Sequence, residues 1–180
     1  MNKLRVLLPA AGVVAASVGG ACAWLLLSAD RAVAVTPPTV SANVEQECET
    51  LYSLLPATVA GQTRDKVTPN SRLVAAWGKS PIIMTCGAAT PAVLTPGDKT
   101  YDPSAQAVYI NGVSWLPVQV SNGYRFYAIQ RQVYIEVFVP SSYNLGDGNP
   151  GTDAPTDLSP AIISGTRTNS GDTGPDVSPA

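Results

Sequence analysis

From Val6 through Ala29 the chain carries no charged residue for 24 positions, and Lys3 and Arg5 stand just ahead of that stretch. As a helix it measures roughly 36 Å, more than a hydrocarbon core of about 30 Å, and leading basic residues favour a cytoplasmic N-terminus. Everything from Asp30 onward is then expected on the extracytoplasmic side. About 150 residues are left there to fold, enough for one core and a tail.

The apolar run is longer than the core of a typical cleaved signal, so a retained transmembrane anchor is the first reading. Cleavage after Ala34 is the second, because Ala32-Val33-Ala34 is a small-x-small site and Pro9, Gly12, Gly19 and Gly20 interrupt the helix; the product is then secreted. A lipid-modified Cys22 fits least. Gly19 stands where a branched apolar residue is expected, and Ala23 to Leu27 continue apolar beyond it.

The formal net charge is −2 and the 11 lysines and arginines are scattered singly. No basic stripe suits nucleic acid, and no polybasic cluster suits anionic lipid. Histidine is absent, which removes imidazole general catalysis, a Ser-His-Asp arrangement and imidazole metal ligation. Ser53, Ser80 and Ser114 lie in no nucleophile-elbow pattern, and no phosphate or calcium loop is present. No catalytic residue, cofactor or metal is expected.

In the exported part only Cys48 and Cys86 occur, without metal-like spacing. Two thiols in an oxidising compartment predict a disulfide, with two buried free thiols as the alternative; no C-x-x-C supports a redox pair. Closing a loop of about 39 residues stabilises a domain by about 4 kcal/mol on the chain-entropy estimate.

Thr36-Pro37-Pro38-Thr39 reads as a short extended spacer. Val44, Cys48, Leu51 and Leu55 then share one face of a helix, with Asn43 and Gln46 as a capping box, Glu45 and Glu47 at its positive end, and Pro56 as its stop. Residues 61–70 read as a polar loop, followed by an apolar patch from Leu73 to Trp77 and a strand from Pro81 to Cys86. Asn111-Gly112 predicts a hairpin, Ser121-Asn122-Gly123 a second, and a turn near Gln130-Arg131 leads into a strand from Val133 to Val139. On that strand Val133, Ile135, Val137 and Val139 share one face, and Tyr134, Glu136 and Phe138 the other.

The expected fold is α+β: a small antiparallel β-meander with one N-terminal helix packed on it and tied to it by the disulfide, behind an N-terminal transmembrane helix. The boundaries are 1–5 for the cytoplasmic N-terminus, 6–29 for the anchor or signal, 30–42 for an extended linker, and 43–143 for the extracytoplasmic domain. Residues 144–180, rich in Gly, Pro, Ser, Thr, Asn and Asp, are expected to be largely disordered. Within them, 157–163 is a short apolar segment that could dock on the sheet.

Several residues carry a likeness as an ordered set: Cys48 with Leu54-Leu55-Pro56, Arg64, Ala76-Trp77-Gly78, Pro81-Ile82, Cys86-Gly87, Gly112-Val113 with Trp115, Arg131, and Ile135-Glu136-Val137 with Pro140. The chain resembles, from about Cys48 to Ile163, an actinobacterial family of exported proteins known as a domain of unknown function, number 3515. It departs from the family where Lys79-Ser80 follow Trp77-Gly78 in place of acidic and proline residues, and where Thr85 replaces an arginine. The resemblance implies an extracytoplasmic location, one domain and a disulfide. It supplies no catalytic residue.

Glu136 is the most informative charged residue, a carboxylate between Ile135 and Val137 that needs a partner. A structural ion pair with Arg131 or Arg64 is the first reading. The sharper one places Glu136 with Trp115 and Tyr134 in a binding cleft, and Trp77 and Trp115 are either core residues or part of such a surface. Together these readings point to a membrane-anchored, non-enzymatic module of the cell envelope that binds or scaffolds another envelope protein or a wall component. A carboxylate-based enzyme of envelope chemistry and a secreted structural protein are the alternatives.

Overall fold

The computed structural model describes residues 32–146 and 149–169. The anchor or signal segment at 6–29 lies outside the described residues, among which no helix is long and apolar enough to cross a membrane.

Helix α1 spans Ala42–Leu54 and buries Cys48 and Leu51 on the face that its apolar spacing predicts. It starts two residues earlier than Asn43-Gln46 suggests. Ser41 is the first capping position, in extended conformation, and its carbonyl accepts the Glu45 N–H at 2.9 Å without any side-chain cap. Pro56 has no N–H to continue the helix, and Leu55 already has an extended backbone.

Among the described residues ten strands follow the chain order: β1 Val33–Ala34, β2 Thr58–Val59, β3 Gln62–Asp65, β4 Val67–Thr68, β5 Val74–Trp77, β6 Ile82–Cys86, β7 Val108–Ile110, β8 Val113–Val120, β9 Gly123–Ala128 and β10 Ile135–Pro140. Eight form one antiparallel sheet in the order β2-β3-β5-β6-β10-β9-β8-β7, while β1 and β4 pair in parallel beside it. The meander from β7 to β10 supplies one half. The turn at Asn111-Gly112 has φ of 47° and 85°, the left-handed pair that a two-residue hairpin requires.

The segment 61–70, expected to be a loop, instead contains β3 and β4. Ala60 and Gly61, with φ of 48° and 71°, reverse the chain between β2 and β3. The polarity of Gln62 to Asp65 reflects a position near the sheet's margin, where strands are partly solvated.

Register builds the core row by row. Trp115, Ala128, Ile135 and Cys86 lie opposite one another across four strands, and all are buried. The row on the other face runs Leu116, Tyr127, Glu136, Thr85 and Val74. Cys86 reaches Cys48 of α1 with a Cα–Cα separation of 5.7 Å, joined as a disulfide that ties helix to sheet.

The stretch read as a polar tail contains a second helix, α2, at Asp153–Gly165, so two helices rather than one pack with the sheet. Composition misleads there because its polar residues are satisfied internally. Ser159 is fully buried, its hydroxyl donating to the Pro155 carbonyl at 2.7 Å, and the Thr166 hydroxyl donates to the Ile162 carbonyl at 2.7 Å. Gly165 lets the two helices touch: a Cβ added there would stand 2.7 Å from the Leu51 Cα.

Candidate functional site

Strand β10 places Glu136 on the sheet face opposite Ile135 and Val137, with its side chain 17% exposed. Its partner is Arg125 on β9, not Arg131 or Arg64. Antiparallel register explains the choice: Phe138 lies opposite Arg125 and Glu136 opposite Tyr127, so the guanidinium reaches Glu136 diagonally while its Cζ sits 5.7 Å from the Phe138 ring centroid. Burial, the Glu136 charge and a hydrogen bond to its carboxylate push the Tyr127 hydroxyl up to about 12, with Arg125 acting the other way. Glu136 is thus bound on two sides.

The expected partner Arg131 precedes β10 and is held elsewhere. Its backbone bridges Thr168, and its Nη1 donates to the Thr166 carbonyl at 3.4 Å. Burial pulls its guanidinium below the ordinary value, while the charges of Tyr109 and Glu47 act the other way.

The candidate binding surface does not assemble. Trp77 and Trp115 are both fully buried. The Trp77 indole donates to the Pro56 carbonyl at 3.2 Å, and the Trp115 indole to the Ser159 hydroxyl at 3.1 Å. Both belong to the face packed against helices, whereas Glu136 lies on the opposite one, so alternation along the strands separates them. Tyr134 is half-buried just before β10, and its carbonyl accepts the N–H groups of Gly87 and Ala88.

Two concave sites stand out among the described residues. The smaller, about 390 Å³, lies between α1 and the end of α2, beside Glu47 and Arg167. The Glu47 carboxylate accepts the Arg167 backbone N–H at 2.8 Å, Nε at 3.2 Å and Nη2 at 3.0 Å. That network is internally complete and fastens the chain after α2 to α1. In the sequence Glu47 reads only as an end charge; the signal passed over there is that it precedes Leu51 by four residues, on the buried side of the helix.

The larger cleft, about 600 Å³, is lined by Tyr52, Arg64, Asp65, Lys66, Val67 and Asn70. Register places Arg64 of β3 opposite Trp77, facing α1. Its Cζ lies 4.2 Å from the Tyr52 ring centroid and 5.7 Å from that of Trp77. A second cation, Arg72, lies 5.9 Å from the Tyr52 centroid. The Arg64 Nη2 is buried and has no hydrogen-bond acceptor among the described residues. A guanidinium has five N–H donors and no acceptor, so ring faces hold its plane and leave donors to be satisfied.

The model of the family described as "Protein of unknown function (DUF3515)" matches residues 6–169. The chain belongs to that family. The DUF3515 match takes in the uncharged N-terminal stretch, all three cysteines, the sheet and α2. No curated protein and no solved structure matches the chain.

Proposed function

We propose that this DUF3515 protein is a membrane-anchored extracytoplasmic module that binds another component of the cell envelope, a protein or a wall component, without transforming it. The observation that carries the reading is the cleft beside Tyr52, where two arginines lie against one aromatic ring and a buried guanidinium nitrogen has no acceptor among the described residues. The location is supported by Lys3 and Arg5 ahead of the uncharged stretch 6–29 and by the Cys48–Cys86 disulfide, which suits an oxidising compartment. The engagement of Glu136 by Arg125 and Tyr127 favours binding over carboxylate catalysis.

A photo-crosslinking residue at Asn70, exposed on the rim of the cleft, tests the reading in living cells. A discrete adduct that disappears with Arg64→Gln is the expected result. A folded protein that yields no adduct overturns it. Protease treatment of intact, wall-stripped cells checks orientation: digestion of the domain only after lysis would reverse the proposed topology.

A further inference from the structure

We infer that the Tyr52–Arg64 cleft is a phosphate-binding site, its ligand a phosphate group presented by an anionic lipid headgroup or by a soluble phosphate ester. The inference deepens the binding-module reading and rests on it for the protein's location. Its first ground is charge. Arg64 lines the cleft and Arg72 stands over its aromatic wall, with the carboxylate of Asp65 beside them. An arginine fork binds two phosphate oxygens at once.

Its second ground is the state of Arg64. Tyr52 and Trp77 orient the guanidinium plane through their ring faces, so little side-chain freedom is lost when a ligand arrives. Among the described residues its Nη2 has no hydrogen-bond acceptor. Glu136 and Glu47, by contrast, are each already engaged with an arginine. The volume of about 600 Å³ leaves room for the group that carries the phosphate.

The test is phosphorus NMR of the full chain in detergent micelles, with inorganic phosphate as the probe. Saturable binding is expected, weakened at least about tenfold by Arg64→Gln, the effect of losing one charge-assisted hydrogen bond. Should that variant fail to fold, Arg64→Lys keeps the charge and removes the fork. Asn70→Asp adds a repelling charge at an exposed position and is expected to weaken binding with an unchanged melting temperature. Displacement by short-chain phosphatidylglycerol at lower concentrations than by glycerol phosphate assigns the headgroup as the source; equal displacement assigns the soluble ester. Absence of saturable binding, or wild-type affinity in the Arg64 and Asn70 variants, overturns the proposal. An Asn70 photo-adduct without phosphate binding overturns only the ligand class, whereas phosphate binding without an adduct overturns the binding-module reading.

Discussion

Asn111 donates its side-chain amide to the carbonyl of Thr156 at 3.1 Å. That carbonyl lies four residues before Pro160, which has no N–H to offer it inside α2. The turn between β7 and β8 thus completes the hydrogen bonding of the helix packed over it. One asparagine serves two purposes, because its left-handed backbone also closes the hairpin.

Asn111→Gly keeps the backbone conformation and deletes the amide, so a loss of about 1 kcal/mol is expected. Alanine at position 160 restores the missing N–H, and in that background the Asn111→Gly loss should shrink toward zero. A double-mutant cycle by chemical denaturation reads the coupling, and equal losses in the two backgrounds would refute the relationship.

The disulfide closes a sequence separation of 38 residues. Replacing Cys48 and Cys86 together by serine is expected to remove about 4 kcal/mol, a large share of the stability of a small domain. Urea denaturation measures the loss. In the native protein, alkylation without reductant should label neither Cys48 nor Cys86.

Arg125→Met strips a carboxylate that is 17% exposed of its cation, whereas Glu136→Gln leaves a group that can still accept the Tyr127 hydroxyl. The first is expected to cost about 2 kcal/mol and the second about 1 kcal/mol. The reverse order in thermal denaturation would assign Glu136 a role other than pairing.

Tyr127 carries an alkaline signature. Burial and the Glu136 charge push its hydroxyl up to about 12 in the fold from the ordinary tyrosine value of about 10, so above pH 10 the unfolded chain releases this proton while the folded one keeps it. The associated stability is fully present below pH 10 and is lost as pH rises toward 12. Melting temperatures between pH 9 and 12 should fall more steeply for the native sequence than for Tyr127→Phe.

Much of the scaffold was legible. The stripe Val44, Cys48, Leu51 and Leu55 marked α1, Asn111-Gly112 marked its hairpin, and the alternation of Ile135, Val137 and Val139 marked the buried face of β10. Gly123 stood in a predicted turn yet opens β9, where a Cβ would meet the Val139 carbonyl at 2.1 Å. The strand-forming character of Gln62 to Asp65 was hidden, because a marginal strand can be polar on both faces.

By itself the sequence determined what depends on near neighbours: where helix α1 turns its apolar side, where the chain reverses, and which side of β10 is dry. A few dihedrals and the spacing of side chains within one element are enough for that. Tertiary structure alone decided which cation meets Glu136, why both tryptophans are core, that α2 closes the domain, and that Arg64 stands between Tyr52 and Trp77. Those outcomes hang on sheet register and on pairs as distant as Glu47 and Arg167, 120 residues apart. Such contacts are selected by the free energy of the whole packed core, which no local stretch of the chain contains.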